Sequence, residues 1–234
     1  MPPRIFLLRH GEAQHNVGPP PPPDHNLLDP ELTSRGVTQC TSIPNTYPTF
    51  FQSLSPSDTL IVVSPLRRTI QTYLLGFSAY LPPSSAGDQT TEEKASIPHL
   101  LLPELQECGS WPCDTGDNLD STKERFSAAD FLDWSTVEEK PDWNKNKGIF
   151  QATEAKNVAR AKWVRKWLKS RPEKTIVCVT HHGTLRRLTK APNAHNRQLT
   201  PTHLQWSNAE LREYRFKEED DEEADLVRVE GAIL

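Results

Sequence analysis

The sequence predicts an α/β protein, a three-layer α/β/α sandwich with a mostly parallel central sheet, and three observations carry that prediction. Short apolar runs rich in β-branched residues stand at residues 4–8 (RIFLL), 59–64 (TLIVVS) and 175–180 (TIVCVT). Nearly continuous runs of this kind are how strands covered on both faces read. Each run then leads toward a helical pattern, and alternating strand and helix patterns build βα units around a parallel core.

Taken in order, the first run ends in Arg9-His10-Gly11-Glu12 and is followed by Gly18 and five prolines at 19–23, a stiff polyproline II spacer whose other use would be as a partner ligand. Thr33 is positioned to cap a helix beginning at Ser34, which Pro44 and Pro48 keep short. After the second strand, Leu66, Ile70, Leu74 and Phe77 recur at helical spacing. Residues 81–95, rich in Pro, Ser, Thr and Glu, read as a surface loop. Residues 108–147 read as a long insertion with at most short helices, the kind of segment that forms lids and specificity walls.

The strongest single helix is 153–170. Ala155, Val158, Ala159, Lys162, Trp163, Lys166 and Trp167 combine an apolar stripe with basic positions on the other face, and Arg171-Pro172 ends it. The third strand leads into a shorter helical pattern at 184–189. Residues 209–216 read as a strand, with a helix as the alternative, and 226–229 as an edge strand. The acidic stretch 218–225 between them is expected to be solvated and disordered. The expected organisation is one domain over 1–234, with insertions near 18–30, 81–96 and 109–150 and an acidic segment at 217–225.

Composition narrows the function classes. The net charge of −4 hides a slightly basic body, because seven acidic residues fall in 218–225 and leave 27 basic against 24 acidic residues elsewhere. That small surplus suits an anionic small molecule. A DNA-binding face would need a Lys/Arg stripe, which is absent, so no nucleic-acid partner is expected. Cys40, Cys108, Cys113 and Cys178 have neither metal-ligand spacing nor the density of a disulfide scaffold and are expected as reduced thiols. No 18-residue apolar run and no long apolar segment after Met1 are present, so the expectation is a soluble, cytoplasmic protein with no membrane partner, the nucleus also being open to it. The oligomeric state is not encoded in any pattern found.

Each of the three strand ends carries arginine or histidine: Arg9-His10-Gly11-Glu12, Ser64-Pro65-Leu66-Arg67-Arg68-Thr69 and Thr180-His181-His182-Gly183. Parallel strands align their C-terminal ends along one edge, where open α/β sheets bind ligands and helix starts offer donors to anions. An arginine is a permanently charged fork suited to phosphate, and an imidazole near neutral pH is an available nitrogen nucleophile. Two histidines and two arginines can therefore converge on one phosphate.

This pattern resembles the histidine phosphatase superfamily, branch 1, which includes the cofactor-dependent phosphoglycerate mutases. LLRHGEAQHN at 7–16 looks like its signature, and Leu32-Thr33 with Gly36 and Gln39 is similar to its LTxxGxxQ segment. SPLRRTIQT at 64–72 resembles its second phosphate motif. Glu104-Leu105-Gln106-Glu107, Pro112-Cys113-Asp114 and VTHHGTL at 179–185 continue the match. The order and spacing make the resemblance specific over most of the chain, and it implies the phosphoglycerate mutase-like version of the sandwich.

By that resemblance His10 is the nucleophile, and Arg9 and Arg68 bind phosphate oxygens, supplying positive charge with no metal and no cofactor required. Arg68 is preferred over Arg67 because the family's arginine precedes a small residue, here Thr69; Arg67 is then a helix-surface charge. His181 donates a hydrogen bond to the moving phosphoryl group, and Asn16 matches an amide that touches phosphate, or else caps its loop. His182 is a rim residue or a substrate contact. Glu107, in Leu105-Gln106-Glu107, is preferred as general acid, its pKa raised by bound phosphate; Glu104 is the alternative acid, otherwise a solvated carboxylate.

The implied enzyme is a phosphomonoester hydrolase of histidine acid phosphatase type acting on a small phosphorylated substrate. Two alternatives share the site: a phosphoglycerate mutase-type phosphotransferase that returns the phosphate to another hydroxyl, and a catalytically silent module that binds phosphorylated ligands. The unmatched region 110–147 and the proline-rich insert favour the hydrolase over the mutase, and the intact His/Arg set favours an enzyme over the binder.

Overall fold

The computed structural model describes residues 1–17, 25–82, 96–193, 195, 199, 201–218, 220–231 and 234. Among them, β1 (Arg4–Arg9), β2 (Thr59–Val63), β3 (His99–Leu101), β4 (Thr175–Thr180), β5 (Leu211–Phe216) and β6 (Leu226–Arg228) form one sheet in the order β3-β2-β4-β1-β5-β6. The four strands from β3 to β1 run parallel, and β5 and β6 extend the sheet antiparallel. The three strands read from sequence are the adjacent centre, β2-β4-β1. β3 is a further strand in the apolar stretch at 100–102, where no strand was predicted.

The period-two alternation of side chains along each strand divides the apolar runs between two cores. Phe6, Leu8, Ile61, Val63, Val177 and Val179 face one layer, where they meet Cys40, Ile43, Phe50, Ile70, Tyr73 and Phe77. This layer holds α1 (Ser34–Thr41), α2 (Ile43–Thr46), α3 (Pro48–Gln52) and α4 (Arg67–Gly76). Ile5, Leu7, Leu60, Val62, Ile176 and Cys178 face the other, against Ala161, Val164, Leu168, Leu185 and Leu188.

Within the insertion region, α5 (Leu119–Arg125) and α6 (Ser135–Glu138) are short, as expected. The segment nonetheless packs onto the body, since Phe126, Leu132, Val137 and Trp143 are buried in the first core. Thr33 caps α1, its hydroxyl accepting from the Gly36 amide at 3.0 Å. The second layer holds α7 (Glu154–Lys169) and α8 (His182–Leu188), and Thr153 caps α7. All four cysteines are free and buried. No helix among the described residues is long and apolar enough to cross a membrane.

Three readings are corrected. The buried face of α7 is Asn157, Arg160, Ala161, Val164, Arg165 and Leu168, not the stripe through Val158 and Trp163, which are 51% and 44% exposed. Apolar periodicity misled because the inward face carries two arginines with internal duties. Arg160 Nη2 donates to the carbonyls of Gln106 and Glu107, both at 3.1 Å, and Arg165 donates to the Glu223 and Arg187 carbonyls. Trp163 instead stacks from the exposed side on the half-buried Trp167, which packs at the edge of the second core, with ring centroids 6.4 Å apart.

The acidic stretch is likewise not simply solvated: Glu223 pairs with Lys162, and Asp225 with Lys190 at 2.5 Å. Basic residues on α7 and just after α8 hold it against the second layer. Finally, Arg67 is not a free surface charge, since it is ion-paired with Asp117 and lies 3.9 Å from the fully buried Asp29. The polyproline reading at 19–23 and most of the loop reading at 81–95 fall outside the described residues.

Candidate active site

Because β1, β4 and β2 are parallel and adjacent, with Arg9 opposite Thr180 and Val63 opposite Val179, the residues following each strand emerge on one edge. That register brings His10 after β1, Ser64 and Arg68 after β2, and His181 after β4 into contact.

His10 is buried, with its two ring nitrogens in different roles. Nδ1 donates to the Gly11 carbonyl at 2.6 Å, and Nε2 accepts from Arg68 Nε at 3.2 Å. The lone pair therefore sits on Nε2, facing a guanidinium. Burial first, then the charges of Arg68 and Arg9, hold the His10 pKa well below the ordinary histidine value, so the ring is neutral at physiological pH.

Arg68 is fully buried and anchored by Nη1, which donates to the Cys113 carbonyl at 2.7 Å. Its Nη2 has no hydrogen-bond partner among the described residues. Arg9 lines the cavity and donates through Nη1 to the Trp206 carbonyl at 2.6 Å. His181 lies with its ring centroid 5.2 Å from that of His10, and its Nε2 is 2.8 Å from Ser64 Oγ. A hydroxyl donating to Nε2 leaves the ring proton on Nδ1, which has no partner among the described residues. Burial, followed by Arg68 and His10, also keeps His181 neutral. Two buried donors, Arg68 Nη2 and His181 Nδ1, are thus left to an incoming ligand, and a phosphoryl group supplies the acceptors they lack.

Arg9, His10, Asn16, Glu107 and His182 line a common cavity of about 320 Å³. Asn16 lines the cavity, and its Oδ1 caps the loop by accepting from the Ala13 amide at 3.0 Å. His182 lies on the cavity wall and is 7% exposed. Glu107 accepts from three backbone amides, Cys108 at 2.8 Å, Gly183 at 3.0 Å and Thr184 at 3.1 Å. Gly183 must be glycine for this, since a Cβ there would stand 2.4 Å from Glu107 Oε1. Burial alone would raise the Glu107 pKa, but the Gly183 and Cys108 amides and Arg68 together outweigh it and hold the group as a carboxylate. Glu104 is not brought to the cavity. It is buried and ion-paired with Lys140 at 2.8 Å, so the solvated alternative for it is corrected.

Sequence reasoning missed several neighbours. His15 lines the cavity with its ring 6.0 Å from that of His10, and burial followed by the charges of Arg68 and Arg9 lowers its pKa to about 2. A five-residue spacing from His10 carries no signal in a loop; the 3-10 turn Gln14–Asn16 folds it back. Asp114 and Gly109 also line the cavity, as do Arg186 and Arg187. Burial and the charge of Glu107 raise the Asp114 pKa to about 7, against the opposing pull of Arg68. No group of three or more His, Cys, Asp or Glu among the described residues is arranged to hold a metal ion. Chemically the site offers a neutral nucleophilic nitrogen on His10, the guanidiniums of Arg9, Arg68, Arg186 and Arg187, further neutral histidines in His181 and His15, and two unlike carboxyl groups.

Comparison with known proteins shows the chain's family and fold. The model of the histidine phosphatase superfamily (branch 1) matches residues 5–82. A Schizosaccharomyces pombe protein named a probable phosphatase is 26% identical over 222 residues, covering 93% of this chain and 92% of that protein. An Arabidopsis thaliana phosphoglycerate mutase-like protein is 30% identical over 207 residues, covering 79% of this chain and 72% of its own length. Among solved structures, a mycobacterial glucosyl-3-phosphoglycerate phosphatase shares the fold with a TM-score of 0.51 at 20% identity, over 97% of both chains.

Proposed function

The chain belongs to branch 1 of the histidine phosphatase superfamily, and from that premise we propose that it is a metal-independent phosphomonoester hydrolase working through a phosphohistidine on His10. The observation that carries this reading is the fixed ring of His10, whose Nδ1 is tied to Gly11 while Nε2 faces Arg68 at 3.2 Å. A nucleophile already desolvated, neutral and oriented loses little in reaching an in-line attack.

The sequence of events follows from the residues. Arg9 and Arg68 hold the phosphoryl oxygens with fixed positive charge, and His181 donates from Nδ1 as negative charge spreads in the transition state. His10 Nε2 forms a bond to phosphorus as the ester oxygen leaves. That oxygen takes a proton from the carboxyl wall of the cavity, Glu107 with Asp114 nearby, Glu107 being the member that matches the family's acid. Water then cleaves the phosphohistidine and releases orthophosphate. A cavity of about 320 Å³ favours a small phosphorylated metabolite.

The test is release of inorganic phosphate from p-nitrophenyl phosphate in the presence of chelator, with His10→Ala as control. Release that depends on His10, with phosphorylated His10 found after an acid-sparing quench, is the expected result. Release that persists in His10→Ala, or none from the wild type, overturns the reading; formation of an isomeric phosphate without net release replaces it with the phosphotransferase.

A further inference from the structure

The loop after β1 brings a second imidazole back to the nucleophile. A bridge between Ala13 and Leu32, with the Gln14 amide donating to the Glu31 carbonyl at 2.9 Å, ties this loop to the segment before α1. The Asn16 amide then closes the turn on the Ala13 carbonyl at 2.7 Å. His15 is held inside that turn. It lines the cavity, is 7% exposed, and its ring centroid stands 6.0 Å from that of His10.

A chain of hydrogen bonds sets the form of the ring. Asn16 Oδ1 accepts from the Ala13 amide at 3.0 Å and from Asn208 Nδ2 at 3.4 Å, which fixes the carboxamide with its oxygen on that side. Asn16 Nδ2 therefore faces His15 Nε2 at 3.0 Å, and because an amide nitrogen only donates, Nε2 is the acceptor. A doubly protonated ring would set two donors against each other there, so the ring is neutral and carries its one proton on Nδ1. That Nδ1 is buried and has no hydrogen-bond partner among the described residues, as is true of Arg68 Nη2 and His181 Nδ1. The three belong to one cluster: the charges of Arg68 and Arg9 reach the His15 ring, and His15 in turn acts on both His10 and His181.

We propose that His15 is a phosphate-binding residue of the hydrolase described above, its Nδ1–H donating to a non-bridging phosphoryl oxygen, and that Asn16 is the positioning residue that selects this ring form. The inference rests on that hydrolase reading and adds one donor to Arg9, Arg68 and His181. Position favours the phosphoryl group over the alcohol half of the ester as its ligand, since His15 sits beside the nucleophile and the field of two guanidiniums gathers anionic oxygen at that end of the cavity. A neutral donor also suits the place. It meets an anionic acceptor with a charge-assisted hydrogen bond while adding no further full charge to a buried site that already holds Arg9 and Arg68.

The experiment measures kcat/KM on p-nitrophenyl phosphate and on an alkyl phosphate, together with inhibition by orthovanadate, which takes up the five-coordinate geometry of phosphoryl transfer. His15→Phe keeps a flat ring and removes the donor. It is expected to lose about ten- to a hundredfold in kcat/KM, by a similar factor on both esters, and to bind orthovanadate more weakly to a like degree, the range for one hydrogen bond to a charged acceptor. His15→Gln, which still presents an N–H, is expected to recover part of each loss. A loss confined to one ester would put the donor on the alcohol half, and wild-type kinetics and orthovanadate inhibition in a folded His15→Phe would leave it without a role in binding; either overturns the proposal.

Nitrogen-15 NMR of histidine-labelled wild-type protein makes the same test if the variants fail to fold, His15 being identified by the contact of its ring with the Asn16 amide protons. A proton on Nδ1, with a resonance that moves when orthovanadate binds, supports the assignment; a proton on Nε2, or an Nδ1 resonance unmoved at saturation, overturns it. In Asn16→Ala the proton is expected to exchange between both ring nitrogens, and an unchanged ring form would overturn the positioning role of Asn16. His10→Ala separates a failure here from a failure of the hydrolase reading: phosphate release that survives this substitution sinks the hydrolase, whereas release abolished by it but untouched by His15→Phe sinks the His15 donor alone.

Discussion

His10 Nε2 lies 3.2 Å from Arg68 Nε while its Nδ1 is locked to the Gly11 carbonyl at 2.6 Å, so one guanidinium orients the imidazole that the proposed hydrolase uses as its nucleophile. Arg68 is itself fixed by the Cys113 carbonyl at 2.7 Å, which ties the start of α4 to the insertion.

Arg68→Lys is therefore expected to behave almost as badly as Arg68→Ala. A lysine has one charged point and cannot hold His10, the Cys113 carbonyl and a phosphate oxygen in one plane. Both variants should lose about a hundred- to a thousandfold in kcat/KM, measured by steady-state phosphate release. Recovery of near wild-type turnover by lysine would show that charge alone suffices.

Ser64 is expected to act through His181. With its hydroxyl on Nε2 at 2.8 Å, it selects the ring form that carries a proton on Nδ1. Ser64→Ala should lower kcat by about tenfold, the scale of losing one neutral hydrogen bond of about 1.4 kcal/mol, with KM little changed, because the interaction matters in the transition state. A KM effect alone would place Ser64 in ground-state binding.

His15 should make the fold sensitive to acid. Its folded pKa of about 2 lies below the unfolded value, so the unfolded chain binds more protons as pH falls. The stability it contributes is present above about pH 6.5 and is lost progressively below it. At pH 5 the loss from this ring is about 2 kcal/mol relative to pH 7.5. Urea denaturation at the two pH values should show His15→Gln with a pH dependence smaller by about that amount; an identical dependence would mean the ring is charged in the native state.

The orientation of α7 can be checked by paired truncations. Val164 is fully buried and Val158 is 51% exposed, so Val164→Ala should cost about 1–3 kcal/mol and Val158→Ala less than about 0.5. Equal costs in denaturant midpoints would restore the apolar stripe through Val158 and Trp163.

Hydrophobic pattern and strand-end position were enough to read from the chain its three central strands, the parallel order of its sheet core and the placing of Arg9, His10 and His181 along one edge, while the choice of Arg68 over Arg67 came from the family resemblance. Those features are local: a β-branched apolar run commits to a covered strand, and the residue after it emerges at the sheet edge whatever else the chain does. The buried face of α7 was not legible, because Arg160 and Arg165 count as polar in any periodicity while their donors serve carbonyls that exist only once the loops at 106–108 and 223 have folded against them. The division between Glu107 and Asp114 was equally invisible. Two carboxyl groups seven positions apart differ little in intrinsic acidity; only the tertiary structure gives one the Gly183 and Thr184 amides from the far side of the chain and leaves the other beside its charge. Sequence sets which groups are present, and packing sets how water, amides and neighbouring charges distribute their protons.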